Sequence, residues 1–270
     1  MSAQVIDRRE VGPIGFRGRI ACLAGMLMLP LCAEESLTGV DPKADAVLRR
    51  MGGFLASAPF FTVTADVWQD SNLASGQRVQ SNRSIELKVR RPDRFHSEVR
   101  SATRNRALFY DGTSLTLVNR TQQLFGTVAA PSSLDAALDM ANERFGISPP
   151  LEDLLVADPY RNAVGKAVSG VDLGVVSVLG VPCEHLAFSR GILDWQVWVE
   201  LGASPVPRRM VITYRDESGW PEYAANFSDW DFKTPIPDAD FVFQPTAAIT
   251  QIDVAELRRR NQTSKGGKMP

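Results

Sequence analysis

The sequence predicts an α+β protein in which one large, curved antiparallel sheet forms an incomplete, half-open β-barrel covered by two or three helices. Three observations predict it. A segment opening on Asp41-Pro42 carries apolar residues at helical spacing. Most of the remaining chain alternates apolar and polar residues with period two, and Gly180, Gly191, Gly202 and Gly219 punctuate the later runs at meander spacing. About ten such strands make a sheet too wide to stay flat, because strand twist accumulates. The few amphipathic helices then have one economical place, the concave face.

Composition bounds the rest. The 270 residues hold 30 Lys+Arg against 31 Asp+Glu and are 44% hydrophobic, enough to bury a core. Disordered and collagen-like classes are excluded. Near-balanced charge also argues against nucleic acid as a partner, since such binders carry a large excess of Lys and Arg.

The first element is a targeting signal, residues 1–33. Arg8, Arg9, Arg17 and Arg19 precede the apolar run Ile20 to Leu31, which ends at Cys32-Ala33 and is followed by Glu34-Glu35. A basic stretch, a short apolar stretch and a small residue at the cut make a secretory signal peptide. The run contains Gly25 and Pro30 and falls short of the roughly 20 residues that cross a bilayer. Lipid anchoring at Cys32 is disfavoured by Leu31, which stands where such signals need a small residue. Glu10 and Val11 after Arg8-Arg9 speak against twin-arginine export. Cleavage after Ala33 leaves a net charge of −3 in place of −1, and Cys183 alone of the three cysteines. One cysteine makes no intramolecular disulfide, and with two histidines it is too few for a closed zinc site.

Residues 42–252 read as a single domain. Asp41 is an N-cap and Pro42 a first-turn proline, and Ala44, Val47, Leu48, Met51 and Leu55 form the apolar stripe of a helix over 42–57. Phe61, Val63, Ala65 and Val67 then alternate with polar neighbours, as do Ile85, Leu87 and Val89, with a turn at 72–76. Short strands follow at 95–99, 107–110, 115–118 and 123–128, and Asp111-Gly112 marks a tight hairpin. Ser133 caps a second helix carrying Leu134, Leu138 and Ala141, with a third short helix within 149–155. Strands return at 175–178, 183–188, 195–201, 210–214 and 223–230. Residues 253–270, basic from Arg258 and without apolar periodicity, read as a disordered tail.

At the residue level, Val181-Pro182-Cys183-Glu184-His185-Leu186-Ala187-Phe188, Asp194-Trp195-Gln196-Val197-Trp198-Val199-Glu200 and Pro207-Arg208-Arg209-Met210-Val211-Ile212-Thr213-Tyr214 stand out. With Ser228-Asp229-Trp230 and Phe241-Val242-Phe243-Gln244-Pro245, they resemble the DUF2092 family of predicted periplasmic proteins. That family is similar in fold to the LolA, LolB and LppX group of lipoprotein and lipid carriers. The resemblance implies a LolA-like half-barrel, periplasmic location and an apolar cavity for acyl chains. Fold does not fix function, and no ligand motif transfers with it.

The alternation points Phe61, Val63, Ile85, Leu87, Leu186, Phe188, Trp195, Val197, Ile212 and Tyr214 to one face, which by itself fits plain core packing; the resemblance implies that these residues contact a hydrophobic ligand such as a lipid or a lipoprotein acyl chain. No cofactor or metal motif occurs, and G-x-S-x-G, phosphate-loop, G-x-G-x-x-G and H-E-x-x-H patterns are missing, so no enzyme is expected. Two pairs remain as weak candidates for chemistry, His96 with Glu98 and Cys183 with His185, each two apart on a strand. Arg90, Arg91 and Arg94 sit in a basic stretch suited to an envelope protein or an anionic membrane surface. The expected function is an exported periplasmic carrier for a hydrophobic ligand. The alternative is a non-enzymatic envelope interaction or sensor module.

Overall fold

Helix α1, Pro42–Ser57, forms as expected: Asp41 Oδ1 accepts the Lys43 backbone N–H at 2.8 Å, and Ala44, Val47, Leu48, Met51 and Leu55 bury its apolar stripe. Each large side chain on that stripe contributes roughly 1.5–3 kcal/mol of burial. The computed structural model describes residues 39–263 apart from 74, 150 and 166, so the signal segment, Cys22, Cys32 and residues 264–270 lie outside the described residues.

Two meanders follow. The first comprises β1 (Phe60–Asn72), β2 (Arg78–Arg90), β3 (Arg94–Arg100), β4 (Asn105–Tyr110), β5 (Ser114–Asn119) and β6 (Leu124–Ala129). Its long hairpin pairs β1 with β2 from Phe60↔Arg90 to Asn72↔Arg78. The Asp111-Gly112 turn joins β4 to β5 as predicted. Asp111 Oδ1 accepts the Thr113 and Ser114 N–H groups at 2.9 and 2.7 Å, and Gly112 takes φ +89°.

Helix α2, Leu134–Phe145, is capped by Ser133 Oγ and ends at Gly146 in the left-handed region. A 3-10 turn at Glu152–Leu154 occupies the place of the third helix, and α3, Pro159–Val164, comes next. The second meander holds β7 (Ser169–Val178), β8 (Val181–Arg190), β9 (Leu193–Glu200), β10 (Pro207–Tyr214) and β11 (Glu222–Asp231). The two-residue β12 (Thr250–Gln251) and α4 (Val254–Thr263) end the described chain.

The strands make one open sheet in the order β12-β6-β5-β4-β3-β2-β1-β11-β10-β9-β8-β7. β1 joins the two meanders by pairing with β2 on one side and β11 on the other, and every pairing is antiparallel except β12 with β6. The curvature shows in the core: Leu115 of β5 and Phe188 of β8, at well-separated places in the sheet, share a single cluster with Leu48 of α1 and Leu138 of α2. The α+β half-barrel is therefore as predicted, with twelve strands rather than about ten.

One expectation is corrected. The segment from 253 onward is not a disordered tail over its first part, since residues 254–263 are helical and Val254 and Leu257 are buried. α4 follows β12 along the β6 edge, where a Cβ on Gly126 would meet Val254 Cγ2 at 2.8 Å. Asn261 is also buried, and its Oδ1 accepts from Asn119 Nδ2 at 2.6 Å. A helix with two apolar anchors shows little periodicity, so the amphipathic pattern does not announce it.

Candidate functional site

The inner face of the sheet changes character along the strands. At one end it is sealed by aromatics: Phe54 of α1 meets Phe232 edge-on at 4.9 Å, and Phe61 packs on Trp230 at 5.6 Å. In the middle, Phe61, Val63, Ile85, Leu87, Leu186, Phe188 and Val197 are at most 3% exposed. Seven of the ten predicted ligand contacts are thus closely packed beneath the helices.

Trp195, Ile212 and Tyr214, the other three, are only half-buried. They lie at the opposite end of the inner face, and strand register gathers residues around them. One row runs Trp195↔Ile212↔Tyr223↔Gln69 across β9, β10, β11 and β1, and the adjacent row runs Val197↔Met210↔Ala225↔Val67↔Arg83 into β2. Met210, Tyr223, Gln69 and Arg83 are likewise half-buried. Trp195 is held flat against Phe188, with ring centroids 4.2 Å apart and planes 12° from parallel. The strip therefore grades from aromatic and aliphatic on β9 and β10 to polar on β1 and β2.

The polar end is internally organised. Arg83 Nη1 donates to Gln69 Oε1 at 3.0 Å, and its guanidinium lies 5.6 Å from the centre of the Tyr223 ring. Burial pushes the Tyr223 phenol up to about 12, with Arg83 pulling the other way and Asp153 adding to the rise. From the helical side, Asp153 Oδ1 accepts from Asn162 Nδ2 of α3 at 2.7 Å. Burial raises the Asp153 carboxyl, against that hydrogen bond and the charge of Arg190. Its neighbour Glu152 is pushed up to about 7 by burial and then by Asp153 and Asp139. Polarity within the concavity was not foreseen, although Gln69 and Arg83 continue the inward alternation of Val67 and Ile85 and could have been placed by it.

The outer face carries two clefts, of about 370 and 240 Å³. The first lies between β1, β2 and residues 234–237 and includes Val63 and Leu87 of the predicted set; the second is bordered by Trp68, Arg209 and Asn226.

The candidates for chemistry dissolve into structure. Cys183 is buried, its Sγ donates to Val181 O at 3.4 Å, and burial pushes its thiol up. His185 turns instead to Gln196 Oε1 at 2.9 Å and stacks on Trp198 at 4.1 Å. Nucleophile and base are not brought together. Glu98 is buried in an ion pair with Arg120, 2.7 and 3.0 Å on its two oxygens, while His96 stacks on Phe109 at 4.0 Å. Among the described residues no cluster could hold a metal ion.

The arginines expected to form a docking surface also make contacts within the molecule. Arg90 donates to Ile236 O at 3.1 Å, pairs with Asp238 and lies over Phe241 at 5.0 Å. Arg91 donates to Leu155 O and Leu154 O at 3.0 and 3.1 Å, and Arg94 approaches Asp93 at 3.8 Å. Arg90 and Arg91 thus tie loops to the sheet; spacing along a strand does not reveal loops folded back from distant parts of the chain.

The fold and the strip define a half-barrel with a graded, partly open inner face. The chain belongs to DUF2092, described as predicted periplasmic proteins, whose family model matches residues 44–255. Its location is accordingly periplasmic. A comparison with curated proteins finds no match. Among solved structures it is similar to an uncharacterized conserved protein from Thermus thermophilus, at 12% identity and TM-score 0.43, covering 78% of this chain and 99% of that one. It is also similar to lipoprotein LppX of Mycobacterium tuberculosis, at 11% identity and TM-score 0.44, covering 73% and 100%. A LolA superfamily protein of Nitrosomonas europaea follows at 12% identity and TM-score 0.39, covering 74% and 97%. At these identities the likeness fixes no ligand.

Proposed function

We propose that the protein is an exported periplasmic carrier for a hydrophobic ligand, a lipid or acyl chain, bound on the inner face where Trp195, Ile212 and Tyr214 lie. The observation that carries this reading is the strip of large, half-buried side chains that the helices leave partly uncovered on an otherwise packed face. Apolar groups kept half-exposed within a concavity cost stability unless something covers them. The seven buried members of the predicted set back this strip and hold its shape.

Native mass spectrometry of the protein purified from its own host, with extraction into organic solvent, tests the reading. A lipid-sized adduct that the solvent removes is expected. Trp195→Ala should reduce its occupancy about tenfold, matching the loss of roughly 1.5 kcal/mol of apolar contact. Wild-type protein empty in both measurements would overturn the proposal.

A further inference from the structure

The two edges of the sheet are finished differently. At one end β6 is paired by β12 and packed by α4. At the other, β7 is bordered by the N-terminal segment at a single point: Gly170 donates to Gly39 O at 3.0 Å and accepts from Asp41 N–H at 2.8 Å. Beyond Gly170 no other described strand pairs with its outer edge. Val168, Val171, Leu173, Val175, Val176 and Leu179 there are 40 to 86% exposed, six of the nine large exposed apolar side chains among the described residues. Edge strands that must stay single carry lysines, prolines or inward charges. β7 has one charge, Asp172, and it is already paired with Lys43 of α1.

We propose that β7 pairs antiparallel with β7 of a second copy of this chain, joining two sheets across a twofold axis. The strand is complementary to itself. Because the bulge shifts the alternation by one, Val171 and Val176 share one face and Asp172 and Val175 the other; with the axis between Leu173 and Gly174, Val171 faces Val176 of the other copy and Asp172 faces Val175, so no carboxylate stands opposite another. Shape points the same way. β7 is bulged between Asp172 and Val175, with Gly174 at φ +91°, and a bulge adds local twist that a regular strand would not follow. A second copy carries the same twist by symmetry. Ten residues a side fall below the 20 to 30 of a standard interface, so the dimer should dissociate in about the micromolar range.

Sedimentation velocity of the protein from its host, from about 1 to 100 µM, tests this. A monomer–dimer shift is expected, and Val176→Lys, at a side chain 40% exposed that faces Val171 of the other copy, should move its midpoint at least about tenfold upward. Val171→Cys protein mixed with Val176→Cys protein should cross-link between copies on oxidation, whereas either variant alone should not; the native Cys183 is buried and does not compete. Protein that stays monomeric throughout would overturn the proposal and leave the edge to a different partner. A Val176→Lys protein that dimerises as well as wild type, or no more cross-linking in the mixture than in either cysteine variant alone, would overturn the pairing.

Discussion

Glu98→Gln is expected to destabilise the protein by about 3 kcal/mol at neutral pH and to flatten the acid limb of its stability curve. Glu98 is 4% exposed on β3, and burial alone would push its carboxyl up. His96 and the forked Arg120 outweigh that and hold it at about 2, against an ordinary value of 4.5. A carboxyl held lower in the folded than in the unfolded chain contributes its full stability above about 4.5 and loses it as pH falls toward 2. The amide keeps the volume but not the charge, and it leaves Arg120 facing a neutral partner. Urea unfolding of both proteins at pH 7, 4.5 and 3 measures the difference, which should shrink at the acid end. A constant difference across that range would show that Glu98 acts through packing rather than charge.

That ion pair shows where sequence reasoning stops. His96 and Glu98 are recognisable as strand neighbours because alternation is local, and the same local rule places α1, its Asp41 cap, the Asp111-Gly112 turn and the inward set from Phe61 to Tyr214. Arg120 arrives from the β5–β6 turn, 22 residues on, and no periodicity announces it. Arg91 reaching Leu154 and Leu155, and α4 settling beside β6, fail to show for the same reason: each is a contact between distant segments. The candidate site divides similarly. Alternation says which side chains face inward, but α1, α2 and the 3-10 turn decide which of them end as packed core and which stay half-open. α3 was the readable omission, since Asp158-Pro159 repeats the cap-and-proline signature of Asp41-Pro42, with Asp158 Oδ1 accepting the Arg161 N–H at 2.9 Å.

Gly52→Ala and Gly53→Ala should have opposite effects, although they are the same substitution at adjacent positions of one helix. A Cβ on Gly52 would stand 2.6 Å from Tyr160 Cβ and 2.7 Å from its backbone nitrogen, so α3 has to move away from α1. A Cβ on Gly53 meets nothing within 4 Å. Alanine at 53 therefore gains about 0.5–1 kcal/mol from helix propensity, while alanine at 52 loses about 2 kcal/mol to overpacking. The contact is specific because Tyr160 is clamped onto α1: its hydroxyl donates to Asp45 Oδ1 at 2.5 Å and accepts from Arg49 at 2.8 Å, with the Arg49 guanidinium 4.4 Å above its ring. Displacing α3 also moves Asn162, which holds the half-buried Asp153 beside the polar end of the inner strip. Gly52→Ala should thus weaken lipid retention as well as stability, and Gly53→Ala should leave retention unchanged, as thermal unfolding and native mass spectrometry of the pair would measure. Equal effects of the two alanines would mean that the close approach of α1 and α3 does not hold the cover over the sheet.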